Sequence, residues 1–266
     1  MQALQTMDLN VARQVRFVLT DIDDTVTTEG RLTADAYAAL EQLSNAGITV
    51  IPITGRPAGW CDHIARMWPV FAVVGENGAF YMHYDRTLRK METHHFASDL
   101  HLKENRQKLD LLALEILQQV PGSALASDQP YRLADMAVDF CEDVAPLNES
   151  AIQKIVSIFE AAGAHAKVSS IHVNGWFGAY DKLSMTKTLF AREFAIDLQN
   201  DNENVLFIGD SPNDEPMFEF FKYSVGVANI QHQLHRLTHR PKFVTPSEGG
   251  AGFVEMAQRL LLTRKV

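Results

Sequence analysis

Short apolar runs alternate with amphipathic segments along most of the chain, and this alternation limits the fold more than any other feature of the sequence. Residues 16–20, 48–53 and 71–74 are each typical of a buried strand, and the segments 33–46 and 57–67 between them are typical of helices. An order of strand, helix, strand and helix favours an α/β fold with a parallel sheet, because parallel strands need a crossover that a helix supplies.

The alternation changes between Asp85 and Tyr180 and returns afterwards. Long helical patterns and alternating segments in this stretch are typical of a separate α+β module. We therefore expect a core of residues 1–84 and 181–266, interrupted by an inserted α+β domain at residues 85–180. The elements predicted within the insertion are helices at 100–119 and 150–162, a strand at 131–140, and one or two strands around a turn at Asn174-Gly175.

The acidic composition limits the partners of the protein. The 266 residues include 24 basic and 33 acidic ones, and the net charge of -9 argues against nucleic acid or an anionic membrane as a general partner. The two cysteines, Cys61 and Cys141, form no CxxC pair, so we expect structural thiols and a cytoplasmic protein. Neither a signal peptide nor a transmembrane helix is expected, since the first residues contain no long apolar run. The sequence leaves a monomer and a dimer equally open.

Polar side chains follow three of the predicted core strands. In an open parallel sheet, ligands bind beyond the carboxyl ends of the strands. Carboxylates held close together repel one another, and a bound Mg²⁺, which prefers oxygen ligands and often also binds substrate phosphate, removes this repulsion. The sequence therefore predicts a magnesium site where a hydroxyl and a lysine hold phosphate oxygens. The side chains concerned are Asp21, Asp23 and Asp24 after the first strand, Thr54 after the second, and Asp210 and Asp214 after "VLFIG".

Two lysines are candidates for the phosphate contact. Lys182 and Lys187 are five residues apart on one predicted helix, which is a net rotation of about 140°. Both side chains therefore cannot face the same site, and one of them belongs elsewhere on the helix.

Four short motifs follow one another along the chain: "DIDDT" at 21–25, "ITGR" at 53–56, a lysine at a helix start, and "GDSPND" at 209–214. They resemble the four motifs of the haloacid-dehalogenase-like phosphatase superfamily. The insertion resembles the large α+β cap of one subgroup, and the turn "GENGA" at 75–79 is similar to that of its sugar-phosphate phosphatases and phosphomannomutases. The resemblance implies a Rossmann-like parallel sheet core with an inserted α+β cap domain. It also favours Lys182, which follows "AYD", over Lys187.

The resemblance further implies roles for individual residues. Asp21 matches the nucleophile that forms an aspartyl-phosphate, and Asp23 matches the general acid and base, whose backbone carbonyl also ligates Mg²⁺. Asp210 matches a direct metal ligand and Asp214 a ligand acting more through water. The substrate-binding residues implied in this way are Thr54, Gly55, Arg56, Asn77 and Lys182.

Several of these residues also have a purely structural interpretation. Asp23 and Asp24 could solvate a turn, Thr54 could cap a helix, and Asp214 could cap the helix that follows it. Asp24 stands where glycine is commoner in the superfamily, and it receives no catalytic role. The side chains left open between ligand binding and a place at the surface or in a turn are Arg56, Glu76 and Asn77.

The motifs together predict a Mg²⁺-dependent phosphatase that hydrolyses a small phosphorylated metabolite, and the subgroup resemblance implies a sugar phosphate. A phosphomutase, which returns the phosphoryl group to the sugar, fits the same motifs. A non-catalytic phosphate-binding regulator is a second alternative, although it would not need the intact acidic set. The inserted domain is expected to be a mobile cap that closes over the substrate.

Overall fold

The computed structural model describes residues 1–169 and 171–264 of the protein. Its strands are β1 (Gln2–Ala3), β2 (Phe17–Thr20), β3 (Thr27–Thr28), β4 (Arg31–Leu32), β5 (Thr49–Pro52), β6 (Ala72–Gly75), β7 (Phe80–Asp85), β8 (Lys90–His95), β9 (Ala124–Leu125), β10 (Met136–Asp139), β11 (His165–Val168), β12 (His172–Trp176), β13 (Val205–Gly209), β14 (Tyr223–Gly226) and β15 (Phe243–Val244). Its α-helices are α1 (Leu9–Gln14), α2 (Ala34–Asn45), α3 (Ala58–Met67), α4 (Asp99–Gln119), α5 (Glu149–Ala161), α6 (Lys182–Leu189), α7 (Glu215–Phe220) and α8 (Gly249–Leu261).

The central sheet has six parallel strands in the order β1-β15-β14-β13-β2-β5. Its middle strands are buried on both faces, which is why they are continuous apolar runs in the sequence. Successive side chains of a strand point to opposite faces. Val18 accordingly packs in the same cluster as residues of α2 and α8, whereas Phe17 and Leu19 pack with residues of α6 and α7. The expected α/β fold with a parallel sheet core is confirmed.

A three-stranded antiparallel sheet, β6-β7-β8, adjoins the central sheet through a parallel bridge between Ile53 and Val74. β8 pairs with β7 along its whole length, from Phe80 opposite His95 to Asp85 opposite Lys90. The expected domain boundary between residues 84 and 85 therefore falls inside this hairpin.

The segment from α4 to β12, residues 99–176, forms a compact unit that we call the insert. Its antiparallel sheet has the order β11-β12-β10-β9, and α4 and α5 pack on that sheet. Ser98 caps α4 and Asn148 caps α5, each through a side-chain oxygen that accepts a backbone N–H. The insert has a hydrophobic core of its own, which includes Leu109, Ile116, Ile155, Phe159 and Val173.

The prediction of a turn at Asn174-Gly175 is wrong. Both residues lie inside β12, which pairs with β10 and with β11, and the chain reverses between Val168 and His172 instead. A Cβ on Gly175 would lie 2.1 Å from the ring of Phe159. The glycine is therefore explained by close packing of the sheet on α5, which a local turn signal cannot reveal.

The first fifteen residues carry structure that the sequence did not predict. β1 pairs in parallel with β15 at one edge of the central sheet, and Asp8 caps the short helix α1. Within the part of the chain that the structure describes, Cys61 and Cys141 form no disulfide. Among the described residues, no helix combines the length and the apolar character that crossing a membrane requires.

Candidate active site

Three buried carboxylates converge at the carboxyl end of the central sheet. Asp21 directly follows β2 and Asp210 directly follows β13, and these two strands are neighbours in parallel register. Asp214 lies one short helical turn further on and folds back, so that its Oδ2 accepts the backbone N–H of Asp210 at 3.1 Å. Ligand oxygens of the three carboxylates lie within 4.8 Å of one another. We call these residues the carboxylate cluster.

The local sequence explains how Asp214 reaches the carboxylate cluster. Ser211 and Asp214 form a reciprocal capping box at the turn that follows β13. Gly209 leaves the space that the carboxylate occupies, because a Cβ there would lie 2.3 Å from Asp214 Oδ2. The motif "GDSPND" is therefore a device that folds one aspartate back onto another.

Lys182, the first residue of α6, reaches the carboxylate cluster. Its Nζ lies 2.7 Å from Asp214 Oδ1 and 3.1 Å from Asp21 Oδ1. Asp181 caps α6 by accepting the N–H of Ser184. Lys187, on the same helix, donates to Gln199 instead and lies outside the carboxylate cluster.

The turn "GENGA" fixes the start of α6. Glu76, Asn77 and Gly78 all have positive φ, of 45°, 54° and 107°. A Cβ on Gly78 would lie 2.0 Å from the carbonyl oxygen of Asp181, so only glycine allows this contact. The turn thus packs directly against the backbone of Asp181 and Lys182.

The charges of the carboxylate cluster are unbalanced. Burial raises the pKa of Asp21 to about 8, against the opposing charge of Lys182, and burial likewise raises the pKa of Asp210 well above its usual range. Although burial opposes it, attraction to Asp21 and Asp214 raises the pKa of Lys182. The carboxylate cluster thus has three carboxylates for one ammonium group, which contacts Asp21 and Asp214. An oxygen-only donor set with excess negative charge fits a magnesium ion.

Thr54 and Asn77 face each other across the end of β5. The Thr54 carbonyl accepts the N–H of Asn77 at 3.1 Å, and the Thr54 hydroxyl accepts the N–H of Arg56 at 3.0 Å. The Asn77 side chain is buried, yet neither atom of its amide has a hydrogen-bond partner within the described residues. A Cβ on Gly55 would lie 3.1 Å from the Asn77 amide nitrogen. The unpaired amide suits a group that binds beside Gly55.

Asp23 is not part of the carboxylate cluster and is held by Arg56, although it lines the same cavity as Asp21. Its two oxygens accept hydrogen bonds from the guanidinium of Arg56, at 2.8 to 3.0 Å. Arg56 is almost fully buried. Asp24, which follows Asp23 in the chain, has a φ of 53°, a conformation that glycine adopts most easily. Asn229 donates a hydrogen bond to the Asp24 carbonyl.

Residues of the insert lie over Asp21, Asp23 and Arg56 of the core. A narrow cavity of about 10 Å³, room for roughly one water molecule, lies between the core and the insert. An outer cavity of about 390 Å³ shares Asp23, Arg56 and Ile171 with it and leads outward. The lining of the narrow cavity consists of Asp21, Asp23, Gly55, Arg56, Ser211 and Asn213 from the core and Arg132, Ser169, Ile171, His172 and Asn174 from the insert.

Glu76 joins the core to the insert, a role that the sequence left undecided. Its buried carboxylate accepts one backbone N–H from Ala58 in α3 and three more from residues 133–135 of the insert, at 2.6 to 3.1 Å. Arg132 adds a hydrogen bond to the carbonyl of Gly55 at 2.9 Å. Burial, followed by the charge of Asp135, raises the pKa of Glu76 to about 7.

The residues of the insert that meet the core were not found from the sequence. Arg132, Glu142, His172 and Asn174 all take part in ion pairs or hydrogen bonds at or near the cavity. Charged residues within the alternating segment 131–140 were the only available signal. Arg132 contacts Gly55 and Glu142 contacts Arg56, and in each pair the two residues are more than 70 positions apart in the chain. No local pattern identifies contacts of this kind.

The sequence model of the haloacid dehalogenase-like hydrolase family matches residues 18–120 and 147–254. These residues include the carboxylate cluster, Thr54 and Lys182. The chain therefore belongs to the haloacid dehalogenase-like hydrolases, as the four motifs implied.

Individual relatives agree with this family. A phosphoglycolate phosphatase from Methanobrevibacter smithii is 26% identical over 253 residues, which are 92% of this chain and 98% of the relative. The C-terminal domain of trehalose-6-phosphate phosphatase from C. albicans has a TM-score of 0.70 at 16% identity, covering 96% of this chain and 94% of that one. The sucrose-phosphatase of Synechocystis, solved with sucrose and phosphate, has a TM-score of 0.62 at 16% identity and covers 93% of this chain and 98% of its own.

Proposed function

We propose that this hydrolase is a Mg²⁺-dependent phosphatase that removes phosphate from a small phosphorylated metabolite through an aspartyl-phosphate. The observation that carries the proposal is the buried carboxylate cluster with Lys182, over which residues of the insert line a cavity. The family and the phosphatases among its relatives support the reaction class, phosphoric monoester hydrolysis.

The residues of the chain have distinct parts in this reaction. A carboxylate oxygen of Asp21 attacks phosphorus, and the bond from phosphorus to the ester oxygen breaks. Asp23, which has first taken up a proton from solvent, gives that proton to the ester oxygen. In the second step, Asp23 takes a proton from water, whose oxygen attacks phosphorus and releases inorganic phosphate and the free Asp21 carboxylate. Lys182, Thr54 and backbone N–H groups near Gly55 hold the phosphate oxygens.

The proposed magnesium ligands are Asp21, Asp210 and the backbone carbonyl of Asp23, with Asp214 acting through water. Both oxygens of Asp214 already accept hydrogen bonds, from Lys182 and from backbone N–H groups, which suits an indirect role. When bound, the ion offsets the repulsion between the anionic nucleophile and the anionic phosphate.

The outer cavity favours a sugar phosphate as the substrate. Four carboxylates line it, from Asp23, Asp24, Glu29 and Glu142, with Arg56 as the one basic residue among its lining. Carboxylates accept hydrogen bonds from hydroxyl groups and repel other carboxylates. A hydroxyl-rich organic part therefore fits better than an acidic one such as that of phosphoglycolate. The volume of about 390 Å³ limits the substrate to a small molecule.

Phosphate release from a panel of phosphorylated metabolites tests the proposal. We expect release with Mg²⁺, none with excess chelator, and little with Ca²⁺, whose larger and looser ligand shell disturbs the geometry. Asp21→Asn should reduce release at least about 10³-fold, because it removes the nucleophile. Full activity of metal-free protein, or of a deamidation-free Asp21→Asn variant, contradicts the proposal. Conversion of a sugar 1-phosphate into its 6-phosphate without free phosphate would identify a phosphomutase instead, and binding without turnover a regulator.

A further inference from the structure

A carboxylate of the insert contacts the arginine that holds the proposed general acid. Glu142 Oε1 lies 2.9 Å from Arg56 Nη2, and the same nitrogen lies 2.8 Å from Asp23 Oδ1. On its other side, Glu142 Oε2 lies 2.9 Å from His172 Nε2. The four side chains therefore form a continuous chain of contacts from the wall of the cavity to Asp23.

We propose that Glu142 and His172 are positioning residues that orient Asp23 through Arg56, so that closing the insert over the substrate also places the general acid. The inference rests on the proposed function, in which Asp23 protonates the leaving oxygen. The insert would then contribute to the chemical step as well as to the choice of substrate.

The geometry of Arg56 makes it a suitable link. Its Nε and Nη2 hold both oxygens of Asp23, and this two-point contact fixes the plane of the carboxylate as well as its position. Its guanidinium also lies 4.3 Å from the centre of the Trp60 ring. The insert completes the arrangement: Glu142 binds Nη2, and Asp128 lies 3.4 Å from Nη1. Of the described side chains that hold the guanidinium, Asp23 and Trp60 belong to the core and would remain with the insert moved away.

The exposure of the four side chains agrees with this order of contacts. The Arg56 side chain is 5% exposed and that of His172 3%, whereas that of Asp23 is 20% and that of Glu142 28% exposed. The close contact with His172 and the charge of Arg56 lower the pKa of Glu142 to about 2, so Glu142 is an anion at neutral pH. His172 also lines the narrow cavity, together with Asp21 and Asp23.

Dependence on the leaving group tests the proposal in the full-length protein. A general acid matters for an alkyl phosphate, whose alkoxide needs a proton, and matters little for p-nitrophenyl phosphate, whose phenolate leaves without one. We expect Glu142→Gln to lower kcat/KM for β-glycerol phosphate at least about tenfold and for p-nitrophenyl phosphate less than about threefold. Arg56→Lys keeps the charge but loses the two-point contact, and it should show the same difference between the esters.

Asp143→Asn is the matched control. Asp143 is the next carboxylate in the chain and accepts a hydrogen bond from Ser127. It is not among the described partners of Arg56, so kcat/KM should stay within about twofold for both esters. Equal losses on both esters in a folded Glu142→Gln variant, or no loss on either, would overturn the positioning role. If Glu142→Gln does not fold, Arg56→Lys decides by the same comparison. Wild-type protein without phosphate release would contradict the proposed function itself, which is a separate outcome.

Discussion

Asp21 illustrates the conflict between a reactive residue and a stable fold. In the absence of metal, burial holds the pKa of Asp21 at about 8, above its ordinary value of 3.8. Between these values the folded state binds more protons at Asp21 than the unfolded state does. The contribution of this group to stability is therefore lost as the pH rises from about 4 to about 8.

We predict a pH trend from this titration. In excess chelator, the free energy of unfolding of Asp21→Asn minus that of the wild type should increase between pH 5.5 and pH 8.5, on the order of 1–3 kcal/mol. Urea unfolding at several pH values measures it. The substitution also changes the contact with Lys182. The change of the difference with pH, and not its absolute value, therefore reports the titration. A difference that stays constant with pH would contradict the prediction.

Individual residues differ in how far the sequence predicted them. Asp21 and Asp210 could be found because each follows a buried strand, and neighbouring parallel strands end at the same edge of a sheet. Glu142 and His172 could not, because their contacts depend on how the insert lies on the core. A linear sequence without local periodicity carries no signal for such a contact.

At the scale of elements, a turn of the core positions a helix on the other side of the insertion. The contact between Gly78 and the carbonyl of Asp181 connects the end of β6 with the start of α6. The helices expected at 33–46, 57–67, 100–119 and 150–162 were predicted to within one residue at each end, since caps and apolar spacing are local, whereas α1 was not predicted. The turn at Asn174-Gly175 was predicted wrongly, because packing on Phe159 outweighed the local turn preference.

Gly78→Ala should destabilise the fold by at least about 3 kcal/mol, since its Cβ would overlap backbone oxygen at a φ of 107°. It should also lower kcat/KM by displacing Lys182. Gly47→Ala is the control: its φ is 77°, but no atom lies within 4 Å of the added Cβ, so only the backbone strain of about 1–2 kcal/mol is expected. Urea unfolding and phosphatase kinetics on both variants measure the two effects. Equal costs for the two variants would exclude a specific role for the turn.

For the whole molecule, the hydrogen bonds from residues 133–135 to Glu76 offer a direct measure of opening. We predict that Glu76→Gln accelerates amide hydrogen exchange at these residues at least about tenfold, because a side-chain amide cannot accept all four bonds. The amides of Glu142 and Asp143, which bond to Asp139 within the insert, are the internal control and should change little. Faster exchange at both sets would indicate unfolding of the insert and not its release from the core.

The order of the strands in the central sheet has a consequence for how the protein is made. Leu19 pairs with Phe207, and Gln2 pairs with Phe243, so one edge of β2 lacks its partner until β13 has been synthesised, and β1 lacks its partner until β15 has been. The insert is contiguous in sequence and has its own hydrophobic core, so it can finish folding before β13 is available to pair with β2. The unit that covers the site thus has the means to exist before the site does. The apolar strands of the core, such as β2 and β5, are therefore the part of the nascent chain most prone to aggregate.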